Sequence, residues 1–245
     1  MELLELNENT YGQAYGYVVY KTKFKKEGEL LEISNARDFV IVILNDVIIY
    51  KSSLHEDPIN VKLEGHLRSD ATNILQILVE NCGRVNYGLD IDNQRKGILG
   101  SVLVDDEKLT SWEIYSLEFQ PDWLRKMERW SRWKSSSTET KTTKLPALYK
   151  GNLRVQGLPR KTFISLPGWY KGVVFVNGFN IGRYWSIGPQ ETLYVPVQYL
   201  ESGDNEILVF DLKGKPDTSA EKQYPTIVST NKPNIGEEDS NYFLI

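Results

Sequence analysis

The 245-residue sequence holds one cysteine, Cys82, and two histidines, His55 and His66. A single thiol closes no internal disulfide, and with two imidazoles it falls short of the ligand set of a tetrahedral zinc site. Nor does one charge dominate. The 29 Lys+Arg and 33 Asp+Glu leave a net charge of -4, whereas nucleic-acid-binding domains carry a concentrated basic face. No apolar run approaches the ~20 residues of a membrane-spanning helix. Met1 is followed by Glu2 and Glu5 rather than by a basic and then apolar leader, and no Asn-x-Ser/Thr acceptor occurs, so neither an export signal nor a glycosylation site is visible. No metal, cofactor, nucleic-acid partner or membrane span is implied. Helical periodicity is also nearly absent.

What is abundant is the short apolar segment rich in β-branched and aromatic residues, bounded by Gly, Pro, Asn or Asp. That is the pattern of an all-β sandwich. One series of predicted strands runs from Tyr15–Lys23 to Trp112–Phe119, with Ile98–Val104 read as a single strand, and a second runs from Leu153–Gln156 to Glu206–Leu212. Between them, Trp123, Met127 and Trp130 fall at i, i+4, i+7, which predicts one amphipathic helix in Pro121–Lys134, with Pro121 in its first turn. Its basic residues, Arg125, Lys126, Arg129, Arg132 and Lys134, admit two readings: a membrane-surface or partner-docking helix, or a helix whose apolar side lies on a β-domain while its cations face water. Ser135–Lys144 reads as a polar linker. Thr226–Ser229 is a candidate returning strand in an otherwise weakly patterned tail.

The two series echo each other. Val40–Leu44 runs into Asn45-Asp46 and Val173–Val176 runs into Asn177-Gly178, and both turns have residues that tolerate the positive φ of a tight hairpin. Asn73 then opens Ile74–Glu80, and Asn205 opens Glu206–Asp211. Turn and strand are 28 residues apart in each half, so the halves read as two copies of one sandwich plan. The organisation that follows is a first all-β domain over 1–120, helix and linker over 121–145, a second sandwich over 146–213, and a tail over 214–245.

Two stretches carry a resemblance. One is Leu78–Gly88, containing Gly83-Arg84-Val85-Asn86-Tyr87-Gly88, followed by Arg95-Lys96-Gly97. The other runs from Leu166-Pro167-Gly168-Trp169 through Asn177-Gly178-Phe179-Asn180-Ile181-Gly182-Arg183-Tyr184-Trp185 to Gly188–Pro196. With Tyr15–Tyr20, they resemble the C-terminal β-domains of glycoside hydrolase family 35, the β-galactosidases, over about residues 10 to 212. The resemblance extends especially to the β-galactosidase-1-like members. The resemblance implies two galactose-binding-domain-like jelly-roll sandwiches, joined by the helix and polar linker. It also implies a parent whose catalytic (β/α)8 barrel and two catalytic glutamates have no counterpart here, so no catalytic residue is assigned. The implied partner is such a barrel, from the same parent chain or a homologue, with galactose-containing glycans as a further candidate ligand. The family also suggests a lysosomal or secreted location, which nothing in this sequence supports directly.

Sugar binding needs an aromatic face for the CH side of a pyranose and hydrogen-bonding groups for its hydroxyls. Trp169, Tyr170, Tyr184 and Trp185, with Asn177, Asn180, Arg183 and Gln190, supply both residue types. Packing inside the sandwich or at a domain interface is the competing reading for the tryptophans. Arg84 and Arg183 each follow glycine, and a guanidinium is suited to fixing a loop by bonding several carbonyls. Arg84, Tyr87 and Arg183 are therefore candidates for structural or interface roles. Glu80 and Asp211 end equivalent strands and read as structural groups at sheet ends.

Overall fold

The computed structural model describes residues 13, 15–25, 28–54, 56–68, 71–89, 91, 93–130, 133, 145–213 and 226–236, without the side chains of residues 128 and 130. The linker expected at Ser135–Lys144 lies outside the described residues, as does His55. The chain divides into two compact units, Met1–Trp123 and Leu124–Ile245.

In the first unit the strands are β1 (Gly16–Phe24), β2 (Leu30–Ile33), β3 (Ala36–Arg37), β4 (Phe39–Leu44), β5 (Val47–Lys51) and β6 (Ile59–Lys62). β7 (Asn73–Asn81), β8 (Gly97–Ile98), β9 (Val102–Val104), β10 (Glu107–Lys108) and β11 (Glu113–Leu117) follow. They make a five-stranded sheet, β11-β1-β7-β4-β5, a four-stranded sheet, β10-β9-β2-β6, and the separate pair β3-β8. The core lies between the two larger sheets: Val18, Val40, Val42 and Ile77 from one meet Leu31, Ile33, Val61 and Val104 from the other. Burial of each such side chain contributes about 1.5–3 kcal/mol. β4 reads Phe-Val-Ile-Val-Ile-Leu because both its faces are covered, and all its residues are buried. On the face away from the core, Tyr17, Phe119 and Trp123 form an edge-to-face run of rings with centroids 5.8 and 5.0 Å apart.

The helix α1 (Pro121–Trp130) straddles the division between the units, with Asp122 in its first turn and Arg129 in its last, as its dipole favours. Leu124 is its most deeply buried described side chain, while Trp123 and Met127 are half-buried and Arg125, Lys126 and Arg129 are exposed.

The second unit contains β12 (Ala147–Val155), β13 (Thr162–Ser165), β14 (Lys171–Val176), β15 (Phe179–Trp185), β16 (Thr192–Val195), β17 (Gly203–Asp211) and β18 (Val228–Thr230). Its sheets are β12-β17-β14-β15 and β16-β13-β18. Ile164, Val174, Val176, Leu193, Val195 and Val209 fill the space between them. β2 and β4 map onto β13 and β14 at one constant offset in the chain, and β9 has its counterpart in β18, which lies beside β13 as β9 lies beside β2. Both units are jelly-roll-type sandwiches. Among the described residues there is no barrel of alternating strands and helices.

Several expected strand limits differ by one to a few residues, β17 for instance starting at Gly203 rather than Glu206, and three further differences are informative. β12 starts at Ala147, not Leu153, because this edge strand pairs residue for residue with β17, so its polar Lys150-Gly151-Asn152 need not alternate. Ile98–Val104 is two strands, broken where Gly100 packs against Ser34 and Asn35; a Cβ there would lie 2.3 Å from Ser34 Oγ. The returning strand is Val228–Thr230, one to two residues beyond the Thr226–Ser229 expected.

The repeated asparagines do the same work in both units. Asn45 (φ 52°) and Asp46 (φ 65°) turn the β4-β5 hairpin, as Asn177 (φ 48°) and Gly178 (φ 80°) turn β14-β15. The Asn45 side-chain amide donates to Asn73 Oδ1 at 2.8 Å while its own Oδ1 accepts from Ile74 N–H at 3.0 Å. The Asn177 amide donates to Asn205 Oδ1 at 2.8 Å and accepts from Glu206 N–H at 2.8 Å. Each clamp fastens a hairpin to the first residues of the neighbouring long strand.

Candidate functional site

In the first unit the segment between β7 and β8 is held at both ends by one buried carboxylate. Asp38 accepts from Lys96 Nζ at 2.7 Å on each oxygen, and its Oδ2 also accepts from the Cys82 N–H at 2.7 Å. Both side chains of the ion pair are 1% exposed. Beside them Glu80 is fully buried, and its Oε1 accepts from the Tyr17 hydroxyl at 3.4 Å. Above this base Arg84 Nη1 donates to Gln94 O at 2.9 Å, and Gln94 Oε1 accepts from Val85 N–H at 2.8 Å. The stem is therefore zipped across the loop. Beyond it Tyr87 is 89% and Leu89 97% exposed. An anchored, cross-bonded loop thus presents large apolar side chains to solvent, an arrangement characteristic of contact surfaces.

In the second unit the predicted sugar-site residues fall on different surfaces. Neighbours along a strand point to opposite faces, so Tyr184 enters the core while Arg183 and Trp185 lie on the other face of the sheet, registered against Val173 and Lys171. Trp169 is in the core, its indole N–H donating to Thr226 O at 3.1 Å and its ring edge-to-face with Tyr149 at 5.0 Å. Asp211, fully buried, accepts from the Tyr184 hydroxyl at 2.7 Å, from Tyr170 N–H at 3.1 Å and from Lys213 N–H at 2.8 Å. Burial, and secondarily the Asp211 charge, pushes the Tyr149 hydroxyl up to about 12. Asn177 spends its amide on the clamp and on Tyr199 O at 2.8 Å. Asn180 accepts from Gly182 N–H at 2.9 Å, Gln190 donates to Thr192 O at 3.1 Å, and both are exposed, as is Arg183. Trp185 is half-buried with Lys171 Nζ 4.2 Å from its ring centroid.

The Asp38–Lys96 pair escaped sequence reasoning because Lys96, within Gln-Arg-Lys-Gly, has the look of a surface lysine. Its only signal was an unexplained position in the Leu78–Gly97 stretch. Asp211 and Glu80 are buried and hydrogen-bonded at strand ends.

Comparison with known proteins matches residues 6–118 to the first all-beta domain of beta-galactosidase, and residues 146–205 to the galactose-binding domain of beta-galactosidase. The chain is 39% identical to human beta-galactosidase-1-like protein 2 over 242 residues, covering 96% of this chain and 34% of that protein. It is 34% identical to bovine beta-galactosidase, covering 90% of this chain and 36% of the relative. To beta-galactosidase 17 of Arabidopsis thaliana it is 34% identical, covering 85% and 33%. The chain spans about a third of the length of these relatives. Two sandwiches in this order, each matched to its own β-galactosidase domain, make the chain a member of the β-galactosidase family, corresponding to its C-terminal, non-catalytic β-domains.

Proposed function

We propose that the chain acts as the accessory β-region of a β-galactosidase: it seats on a catalytic (β/α)8 barrel, stabilises it and shapes access to its mouth. The barrel belongs to the same polypeptide or to a homologous one, and the assembled activity is hydrolysis of terminal β-linked galactose. The observation that carries this reading is the loop between β7 and β8, whose buried Asp38–Lys96 base and zipped stem hold Tyr87 and Leu89 out in water. An exposed apolar tip on so fixed a loop costs solvation unless a partner covers it. Arg84 is the stem's fastener, and Arg84→Ala loosens the loop, lowering melting temperature or barrel association.

Two measurements test it. The isolated chain binds a hydrophobic-surface dye, and the pair Tyr87→Ser and Leu89→Asp abolishes that binding with the melting temperature unchanged; no dye binding by the unaltered chain contradicts the docking loop. The chain alone leaves a chromogenic β-galactoside intact, and turnover lost on replacing one of its own carboxylates contradicts the accessory role.

A second reading, a free-standing carbohydrate-binding module, has one observation in its favour. The half-buried Trp185 ring shares its sheet face with exposed Arg183, and Asn180 and Gln190 are exposed nearby in sequence. Saturable quenching of Trp185 fluorescence by galactose supports it, and a flat titration removes it.

A further inference from the structure

The two units share one plan, but the first adds β11 to one sheet and β10 to the other, where the second unit's described sheets have four and three strands. The added strands and the segment crossing between them border a cleft of about 320 Å³. Tyr20, Val102 and Ile114 supply its apolar floor and the half-buried Trp112 an aromatic wall; Lys108, Thr110 and Ser111 stand exposed at its rim. The crossing segment is pinned. Thr22 Oγ1 donates to Thr110 O at 2.7 Å, and Trp112 Nε1 donates to Leu109 O at 3.2 Å. Ser111 has φ 60°. Because the Trp112 N–H is satisfied within the loop, its ring contributes to the cleft as an apolar surface.

We infer that this cleft is a binding site for a single neutral hexopyranoside. The volume lies at the small end of the ~300–1,000 Å³ typical of ligand sites, enough for one ring. A wholly apolar ligand would strip water from the rim hydroxyls and ammonium without replacing their hydrogen bonds. A cation meets Lys108 at the rim, and an anion there is opposed by the summed charge of Asp105, Asp106 and Glu107, which lie outside the lining but immediately precede Lys108 in the β9-β10 hairpin. A pyranose presents CH groups to the aromatic wall and hydroxyls to the rim, satisfying both halves of the lining. This site lies in the first sandwich, apart from the residues considered for sugar binding in the second, and does not depend on barrel docking.

The test is an NMR titration of the full ¹⁵N-labelled chain with methyl β-D-galactopyranoside, and separately with sodium octanoate. The Trp112 indole and Ser111 amide signals should shift saturably with the sugar at millimolar affinity. Lys108→Ala with Ser111→Asn, both at exposed positions and the second suited to positive φ, should weaken binding about fivefold with the melting temperature unchanged. The Tyr87→Ser, Leu89→Asp pair should leave the titration unaltered. Shifts confined to the second unit, an unsaturable response, or saturation by octanoate alone would overturn the inference.

Discussion

At the scale of single residues, the fold concentrates its cost in a few buried polar groups. Asp38 and Lys96 are each removed from water, and their mutual bonds offset rather than exceed that loss. Lys96→Met should therefore destabilise the first unit by about 3–5 kcal/mol by stranding a buried carboxylate, while Asp38→Leu with Lys96→Met should recover part of it, the remainder being the Cys82 N–H left without its acceptor; denaturant unfolding of the three proteins decides this. Tyr149 makes a pH prediction. Its hydroxyl ionises near 10 in an unfolded chain but only at about 12 in the folded one. Its contribution is complete below pH 10 and is lost as pH rises towards 12, because the unfolded state releases its proton first. Tyr149→Phe, which keeps the ring against Trp169, should flatten part of the fall in melting temperature over that window.

At the scale of elements, the asparagine clamps explain why the 28-residue spacing is legible in the sequence. The hairpin residue of each clamp, Asn45 or Asn177, uses its amide both to donate and to accept, while Asn73 and Asn205 accept from it, and the hairpin and long strand they join cannot slip relative to each other. Asn205→Ala removes bonds to Asn177, Glu201, Gly203 and Leu153 at a fully buried site. A loss of about 2–4 kcal/mol is expected, visible as faster amide exchange in β14 and β17. Gly172 has a different reason. A Cβ there would sit 1.8 Å from Phe210 O on the paired strand, so Gly172→Ala should separate β14 from β17 and cost about 3 kcal/mol or more. Near-native stability of that variant would show that β17 can shift. The central strands were legible because their runs are buried on both faces. β12 was cut short and β10 missed because edge strands answer to backbone pairing, not to apolar alternation.

At the scale of the whole chain, the repeated plan and the family resemblance rested on long ordered motifs, and the two sandwiches follow them closely. The candidate site was less legible. Residues adjacent in Gly182–Trp185 separate onto opposite faces, so Tyr184 is core while Arg183 and Trp185 face outward, and Trp169 enters the same core from the turn before β14. Which exposed residues belong to an anchored platform depends on contacts across the sequence, such as Asp38 to Lys96, that no local motif displays. The most direct measurement co-expresses this chain with the portion of bovine β-galactosidase that it does not match, and follows both association and turnover of a chromogenic β-galactoside. The accessory role predicts that the chain binds that portion and raises its turnover, that the Tyr87→Ser, Leu89→Asp pair loses both effects, and that the chain alone is inactive. Failure of the unaltered chain to associate, where the bovine protein's own β-region does, would contradict it.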